Sequence, residues 1–189
     1  VAIPAVKFVP FVRSLRSGTV KISQKGEQIA LVSGKSRLTE NTMNVEEYPK
    51  LKVLEEKDGL DLEASLLIDM IAETAYSVSK DETRPALMGI LWEVRPDSLT
   101  LVATDAHRLA RSTRDVDWTV PSDRNMIVDT AGLRHLPRLA ASREDGDSGN
   151  VTVFMGENQL SFRSGNSVLD TRLLEGPFPD YNAVIPKNN

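Results

Sequence analysis

The sequence has no cysteine, and its 189 residues include only two histidines, His107 and His135. Without cysteine there is no disulfide framework and no thiolate metal site. No apolar run reaches about 20 residues, the length that crosses a membrane as a helix. The motifs of nucleotide-binding loops, zinc proteases and serine hydrolases are absent too. These absences predict a cytosolic protein with no membrane partner, no metal and no other cofactor.

The composition is that of an ordinary globular protein, with 40% hydrophobic and 26% charged residues. Its formal net charge is −4, whereas a simple basic DNA-binding domain carries a clear positive excess. The charge is uneven, because residues 1–58 hold ten Lys or Arg and seven Asp or Glu, and residues 59–189 hold thirteen and twenty. An acidic chain can still carry a basic stripe, so the charge leaves DNA open as a partner.

The chain contains an internal repeat with an offset of 131 residues. Apolar and turn residues recur in one order: Val20, Ile22, Ile29, Leu31, Ser33, Gly34 and Ser36 match Val151, Val153, Leu160, Phe162, Ser164, Gly165 and Ser167. Alternating apolar residues predict strands, and the Ser-Gly pairs predict tight turns between them. A helix-like stretch precedes the strands of each copy, at Pro4–Leu15 and Thr130–Ala141. Pro10 and Pro137 fall inside these stretches, so we expect either a shared kink or an early helix end.

A third copy of this pattern lies between the other two. Residues 61–79 predict a helix after their first positions, because apolar residues recur there at a spacing of three or four. Three strand-like runs follow, at Met88–Val94, Leu99–Thr104 and Arg108–Thr113. The sequence thus predicts an α+β fold built from three successive βαβββ repeats. Residues 51–59 are charged and lack periodicity, and we interpret them as a linker between domains.

The segment Asp105-Ala106-His107 has two interpretations. Its Asp and His could form a general base or part of a metal site, or Asp105 could accept hydrogen bonds from the backbone of a β-turn. The sequence favours the turn, because nothing nearby completes a triad or a metal-ligand set. His135 lies on a helix-like stretch among basic residues, where a solvated face is the simpler interpretation. We therefore predict no catalytic residue and no metal ligand.

Two pairs of basic residues are candidates for contacts with phosphate. Lys80 and Arg84 lie in the loop that follows the middle helix, and Arg13 and Arg16 lie on the first helix-like stretch. A charged, solvated surface explains the loop residues more simply. Paired arginines are also common on surface helices. The residues alone therefore leave both interpretations open.

Four segments form an ordered set along the chain: Ser33–Arg37 with Tyr48-Pro49, Glu82–Ile90, Leu101–Ala110, and Phe178–Tyr181 followed by Val184–Lys187. Together they resemble the signature of the bacterial sliding clamp family, the β subunit of DNA polymerase III. Ala106 departs from that signature, which more usually has glycine at this position. A methyl group there would narrow the rim of a pocket or alter the turn.

The resemblance implies a DNA clamp fold of three similar domains, with antiparallel sheets outside and helices lining a central channel. Residues 1–58 would form the C-terminal half of domain one plus a linker, and residues 59–189 would form the complete domain two. Because residue 1 is Val and the first residues resemble the middle of a fold, we expect a fragment, and the resemblance implies that the first half of domain one and all of domain three are absent. In the family, ring closure joins domain one to domain three, so a homodimer ring needs the full length.

The implied function is that of a non-catalytic processivity factor, cytoplasmic and associated with the nucleoid. Such a ring encircles duplex DNA without regard to sequence. It also docks the DNA polymerase III alpha subunit, the clamp loader, other polymerases and repair proteins through short clamp-binding peptides.

The resemblance also implies two sites. Lys80 and Arg84 would belong to the DNA-facing loop of domain two, with Arg13 and Arg16 as further candidates for DNA contact. The wall of the partner-peptide pocket would consist of Leu87, Thr104, His107, Arg108, Leu109, Pro179 and Val184. Apolar side chains with a few polar groups suit a peptide groove, although the apolar ones would also suit a core.

Two other functions remain open at this point. One is a stand-alone clamp-like adaptor that binds partner peptides without encircling DNA, which the acidic balance of residues 59–189 slightly favours. The other is a hydrolase that uses Asp105 and His107. Proton transfer needs a positioned partner group, and the sequence shows none.

Overall fold

The computed structural model describes residues 1–47, 59–118, 122–141 and 149–186. The chain divides into two compact units, residues 1–53 and residues 54–189. The Tyr48-Pro49 pair, the predicted linker up to residue 58 and Lys187 lie outside the described residues. The predicted domain boundary between residues 58 and 59 therefore stays a prediction.

Over residues 1–47, the first compact unit is one helix with a small antiparallel sheet. Its elements are α1 (Ala5–Ser14), β1 (Lys21–Lys25), β2 (Gln28–Ser33), β3 (Ser36–Asn41) and a 3₁₀ turn (Val45–Glu47), with strand order β1-β2-β3. Ile29 and Leu31 of the central strand are buried, whereas α1 buries none of its residues. An ion pair of 3.0 Å joins Lys7 Nζ of α1 to Glu40 Oε2 of β3.

In its described residues, the second compact unit is an eight-stranded antiparallel sheet with three helices. Its elements are β4 (Leu60–Glu63), α2 (Ala64–Ala75), β5 (Gly89–Val94), β6 (Ser98–Thr104), β7 (Leu109–Asp115), β8 (Arg124–Asp129), α3 (Thr130–Leu133), α4 (Leu136–Ala141), β9 (Asn150–Met155), β10 (Gln159–Ser164) and β11 (Ser167–Leu174). Short 3₁₀ turns lie at Pro85–Met88 and Tyr181–Ala183. The strand order is β4-β9-β10-β11-β8-β5-β6-β7.

The main core fills the space between the helices and one face of this sheet. Helix α2 contributes Leu67 and Met70, which recur at helical spacing and are fully buried. The sheet contributes alternate residues of each strand, among them Trp92 and Phe162, whose ring centroids lie 6.1 Å apart. The residues at the alternate positions, such as Leu91, lie on the other face of the sheet and do not belong to this core.

The strand register confirms the predicted repeat. Ser33 pairs with Ser36 at the end of the β2–β3 hairpin, and Ser164 pairs with Ser167 at the end of the β10–β11 hairpin. The glycines that follow the first serine of each pair have φ angles of 57° and 53°. Glycine adopts this left-handed conformation without steric cost, which explains why each copy carries a Ser-Gly turn.

The helix-like stretch predicted over Thr130–Ala141 contains two short helices, so of the two expected outcomes the early helix end is the one that holds in this copy. Helix α3 ends at Leu133, and α4 begins at Leu136. Pro137 has no N–H to donate to the carbonyl of Leu133, and its ring would clash with that carbonyl in a continuous helix. By contrast, α1 continues through Pro10. The two prolines therefore do not produce a shared kink.

We expect Leu67→Ala to destabilise the second compact unit by about 2–5 kcal/mol, because it leaves a cavity under α2. Chemical denaturation followed by circular dichroism measures this loss. Asp69→Ala, an exposed change on the same helix, should stay within about 0.5 kcal/mol of the parent. Equal losses for both variants would contradict the assignment of the buried helix face.

Candidate partner-binding cleft

The structure brings all seven residues predicted for the peptide pocket around one cleft of about 450 Å³. They come from three places in the chain: the 3₁₀ turn at Pro85–Met88, the β6–β7 turn and the segment 179–184. The lining residues are Leu87, Thr104, His107, Arg108, Leu109, Pro179 and Val184, together with Ala106, Asp180 and Tyr181. These last three residues were not predicted from the sequence to line the pocket.

The β6–β7 turn forms one wall of the cleft, and Asp105 fixes its shape. Oδ1 of Asp105 accepts hydrogen bonds of 3.0 Å from the backbone N–H groups of His107 and Arg108. The backbone N–H of His107 is the main cause that lowers the pKa of Asp105. These bonds confirm the turn interpretation, because the carboxylate of Asp105 is engaged by the backbone and does not orient the ring of His107.

Ala106 occupies the tip of this turn in a conformation that is unusual for alanine. Its φ angle is 75°, and it is the one non-glycine residue with positive φ in the described part of the chain. Its N–H is bonded to Thr104 Oγ1 at 3.1 Å, and the same hydroxyl donates to the carbonyl of Arg108 at 2.7 Å. These bonds hold Ala106 in the left-handed region, where a Cβ is crowded against the backbone.

The segment 179–184 forms the opposite wall, and Tyr181 anchors it to the sheet. Tyr181 is 6% exposed and packs against Leu91, Val102 and Ile127 on the face of the sheet opposite the helices. Its hydroxyl donates a hydrogen bond of 2.6 Å to Glu93 Oε2. Burial raises the pKa of Tyr181, and the bond to Glu93 and its negative charge raise it further. The phenol is therefore neutral and able to donate at physiological pH.

The apolar residues of the cleft differ in burial. Leu87 is 6% exposed. Leu109 is half-buried and packs against the Tyr181 cluster, which consists of Tyr181, Leu91, Val102 and Ile127. Both leucines therefore also contribute to the core. Val184 is 69% exposed. A valine that is so exposed adds little to the core, and an exposed apolar residue at the rim of a cleft is typical of a binding surface.

The polar rim of the cleft is formed by His107 and Arg108, which are both exposed. Nε of Arg108 donates to Asp105 Oδ2 at 3.0 Å, and its guanidinium lies 5.7 Å from the ring centroid of Tyr76. The ion pair and the cation–π contact limit the positions that this side chain can adopt. Arg108 is thus held at the edge of the cleft with its remaining N–H donors free to face a ligand.

A second apolar depression of about 540 Å³ adjoins the cleft and shares Leu87, Ala106 and Pro179 with it. Its other walls include Pro85 and Phe178, and Arg84 lies at its edge. This extension was not predicted from the sequence. The aromatic residue of the Phe178-Pro179 pair was a signal for it, because aromatic side chains commonly line peptide grooves.

Lys80 and Arg84, the two loop residues predicted to contact DNA, line different cavities. Lys80 lines a separate cavity of about 430 Å³ between α2 and α3, whereas Arg84 borders the apolar extension of the cleft. Nη2 of Arg84 also forms an ion pair of 3.0 Å with Asp81 Oδ2. Arg13 and Arg16 are exposed at the end of α1, in the other compact unit.

The described residues contain no group of three or more Asp, Glu or His side chains that could hold a metal ion. Within the same ranges, no helix is long and apolar enough to cross a membrane.

The sheets of antiparallel strands, the βαβββ repeats and the peptide-sized cleft define a clamp-type α+β protein. The family described as the DNA polymerase III beta subunit, central domain, matches residues 61–180, and its N-terminal domain matches residues 1–52. The chain belongs to the DNA polymerase III beta subunit family, the bacterial sliding clamps.

Individual relatives support this assignment over the full extent of the chain. A beta sliding clamp of Staphylococcus aureus is 31% identical over 189 residues, which cover 100% of this chain and 49% of that protein. The crystal structure of the DNA polymerase beta subunit of Streptococcus pyogenes has a TM-score of 0.86 and 31% identity, covering 98% of this chain and 49% of that one. This chain therefore spans about half the length of the relatives that it matches.

A third relative was crystallised with a ligand. The sliding clamp of Pseudomonas aeruginosa bound to griselimycin has a TM-score of 0.84 and 27% identity, and it covers 98% of this chain and 50% of that one.

We expect Ala106→Gly to stabilise the fold by up to about 1 kcal/mol, because glycine adopts positive φ without the crowding of a Cβ. Thermal or chemical denaturation measures the change. Ala72→Gly, at an exposed position inside α2, is the matched control and should cost about 0.5–1 kcal/mol. Destabilisation by both glycines would contradict the strained turn.

Proposed function

We propose that this chain is part of a processivity factor, a ring-forming sliding clamp that encircles duplex DNA and docks replication and repair proteins. The observation that carries the proposal is the cleft in which seven predicted residues from three distant segments meet. The relatives named beta sliding clamp support the same function and disfavour an adaptor that never encircles DNA. In this proposal the chain is non-catalytic and acts in the cytoplasm, at the nucleoid.

In this proposal residues 1–58 supply the C-terminal half of the first clamp domain and a linker, and residues 59–189 supply the complete second domain. A homodimer of the full-length protein closes the ring. The sheet then carries partner docking on the face opposite the helices, and the helices face the duplex.

The cleft suits a short partner peptide with apolar side chains. Leu87, Leu109 and Val184 provide an apolar wall, while His107 and Arg108 provide donors at the rim. Burial of apolar side chains supplies most of the affinity of such a site, and the polar groups fix the register of the peptide. Candidate ligands are the clamp-binding peptides of the DNA polymerase III alpha subunit, the clamp loader, other polymerases and repair proteins.

Contacts with DNA in this proposal go to phosphate and carry no sequence information, so the ring can slide. Lys80 is the strongest candidate, because its side chain is exposed and has no ion-pair partner among the described residues. Arg84 remains a candidate, although its pair with Asp81 neutralises part of its charge. Arg13 and Arg16 remain candidates in the first compact unit.

We expect Val184→Asp to weaken binding of a clamp-binding peptide from a polymerase III alpha subunit at least about tenfold, because a carboxylate replaces an apolar contact of the cleft. Fluorescence anisotropy with a labelled peptide measures the affinity. Val168→Asp changes another exposed valine outside the cleft and should leave the affinity within about twofold of the parent. If the two variants bind the peptide equally well, the cleft is not the docking site.

We expect Lys80→Glu in the full-length clamp to weaken retention on circular DNA, because it repels phosphate where the lysine attracted it. In a salt titration, loss of one phosphate contact should reduce the slope of log affinity against log salt by about 1. Arg84→Glu should have the same direction of effect but a smaller size. The control is Arg172→Glu, an exposed arginine on β11. Equal retention of Lys80→Glu and the parent at every salt concentration would remove Lys80 from the DNA surface.

A further inference from the structure

A separate groove of about 440 Å³ opens on the face of the sheet that carries Tyr181. It lies next to the partner-binding cleft, and Pro179, Asp180 and Tyr181 line both. Its apolar lining includes Leu91 and Ile127, which belong to the Tyr181 cluster. The proposed function makes no use of this groove.

The groove opens where β8 and β11 are no longer paired, because these two strands pair over only a short length. They pair only at Leu173 with Val128 and at Leu174 with Ile127, whereas β8 pairs with β5 over six residues. The first residues of β8 thus have no strand partner on their β11 side among the described residues. The side chain of Arg124 spans part of this gap, because its Nη1 donates to the carbonyl of Met155 at 3.0 Å.

Carboxylates surround the apolar lining of the groove. Glu93, Glu157, Glu175 and Asp180 all contribute to the walls. No lysine or arginine lines the groove within the ranges that the structure describes. Glu157 and Glu175 are exposed and have no ion pair to any described residue. The two glutamates are therefore free to pair with cations of a ligand.

Backbone-binding groups complete the lining. Asn125, Asn158 and Asn182 also line the groove, and a carboxamide can both donate to and accept from a peptide group. Asn125 lies in the part of β8 that pairs with β5 but has no described strand partner toward β11. An extended peptide uses unpaired strand edges of this kind.

We propose that this groove binds a short, extended, cationic peptide segment of a partner protein, with one apolar side chain on the apolar lining and flanking Lys or Arg side chains on Glu157 and Glu175. Complementary charge attracts and orients such a segment. The same carboxylates repel phosphate, so the groove discriminates against nucleic acid. This inference rests on the groove alone and does not depend on the role proposed for the neighbouring cleft.

The first test is an NMR titration of the ¹⁵N-labelled chain with the capped peptide acetyl-Lys-Lys-Leu-Lys-Lys-amide. The expected result is saturable shifts centred on Asn125, Ile127 and Asn158, with smaller changes at His107 and Leu109. The capped peptide acetyl-Glu-Glu-Leu-Glu-Glu-amide should produce no such shifts. Absence of saturable shifts with the cationic peptide, or shifts centred elsewhere, would overturn the proposal.

Two double variants distinguish binding in this groove from a general attraction of the cationic peptide to an acidic chain. Glu157→Lys with Glu175→Lys should lower the affinity for the cationic peptide by about tenfold at low salt, because two attractive charges become repulsive. Glu82→Lys with Asp117→Lys changes the net charge equally at exposed positions outside the groove and should change the affinity less than about twofold, because distant surface charges are screened. All four positions are exposed, so both proteins should fold, as circular dichroism can verify. Equal losses in the two proteins would overturn the assignment of the groove.

Discussion

The contact between Tyr181 and the sheet holds the candidate site together. The side chain of Tyr181 is almost fully buried against Leu91, Val102 and Ile127, and its hydroxyl donates to Glu93. An unmade hydrogen bond in such a place would cost about 1–3 kcal/mol, so the bond with Glu93 and the apolar contacts favour one position for the segment. That position places Pro179 and Val184 opposite the β6–β7 turn. The cleft and the acidic groove then lie next to each other along this segment.

The sheet of the second compact unit can carry these sites because its two faces are used differently. The helices cover one face and close the main core, with Leu67, Met70 and Trp92 fully buried. Strand alternation directs the remaining side chains to the other face, where the Tyr181 cluster covers only part of the apolar surface. The uncovered parts are concave and lie next to loops, which is where binding sites commonly form.

The sequence predicts the strands well and the site only in part. The Ser-Gly pairs recur at one offset because each hairpin needs a residue with positive φ, so the register could be derived without the structure. The break between α3 and α4 could have been derived from Pro137 and the carbonyl four residues before it. The pocket residues followed from a resemblance, not from periodicity, because Leu87 and Leu109 fit a core equally well. The positive φ of Ala106 is held by local bonds of Thr104, and the glycine that is usual at this position in the family was a signal for it. The separation of Lys80 from Arg84 and the short pairing of β8 with β11 arise from tertiary contacts, which no local pattern encodes.

The central claim is that the cleft lined by Leu87, Leu109 and Val184 holds a partner peptide. A crystal structure of this chain with a clamp-binding peptide from a polymerase III alpha subunit tests it most directly. If the cleft is the docking site, an apolar side chain of the peptide lies between Leu109 and Val184, and a backbone or side-chain group of the peptide is hydrogen-bonded to Arg108 or His107. A peptide seated elsewhere on the chain, with this cleft empty in the same crystal, would contradict the claim.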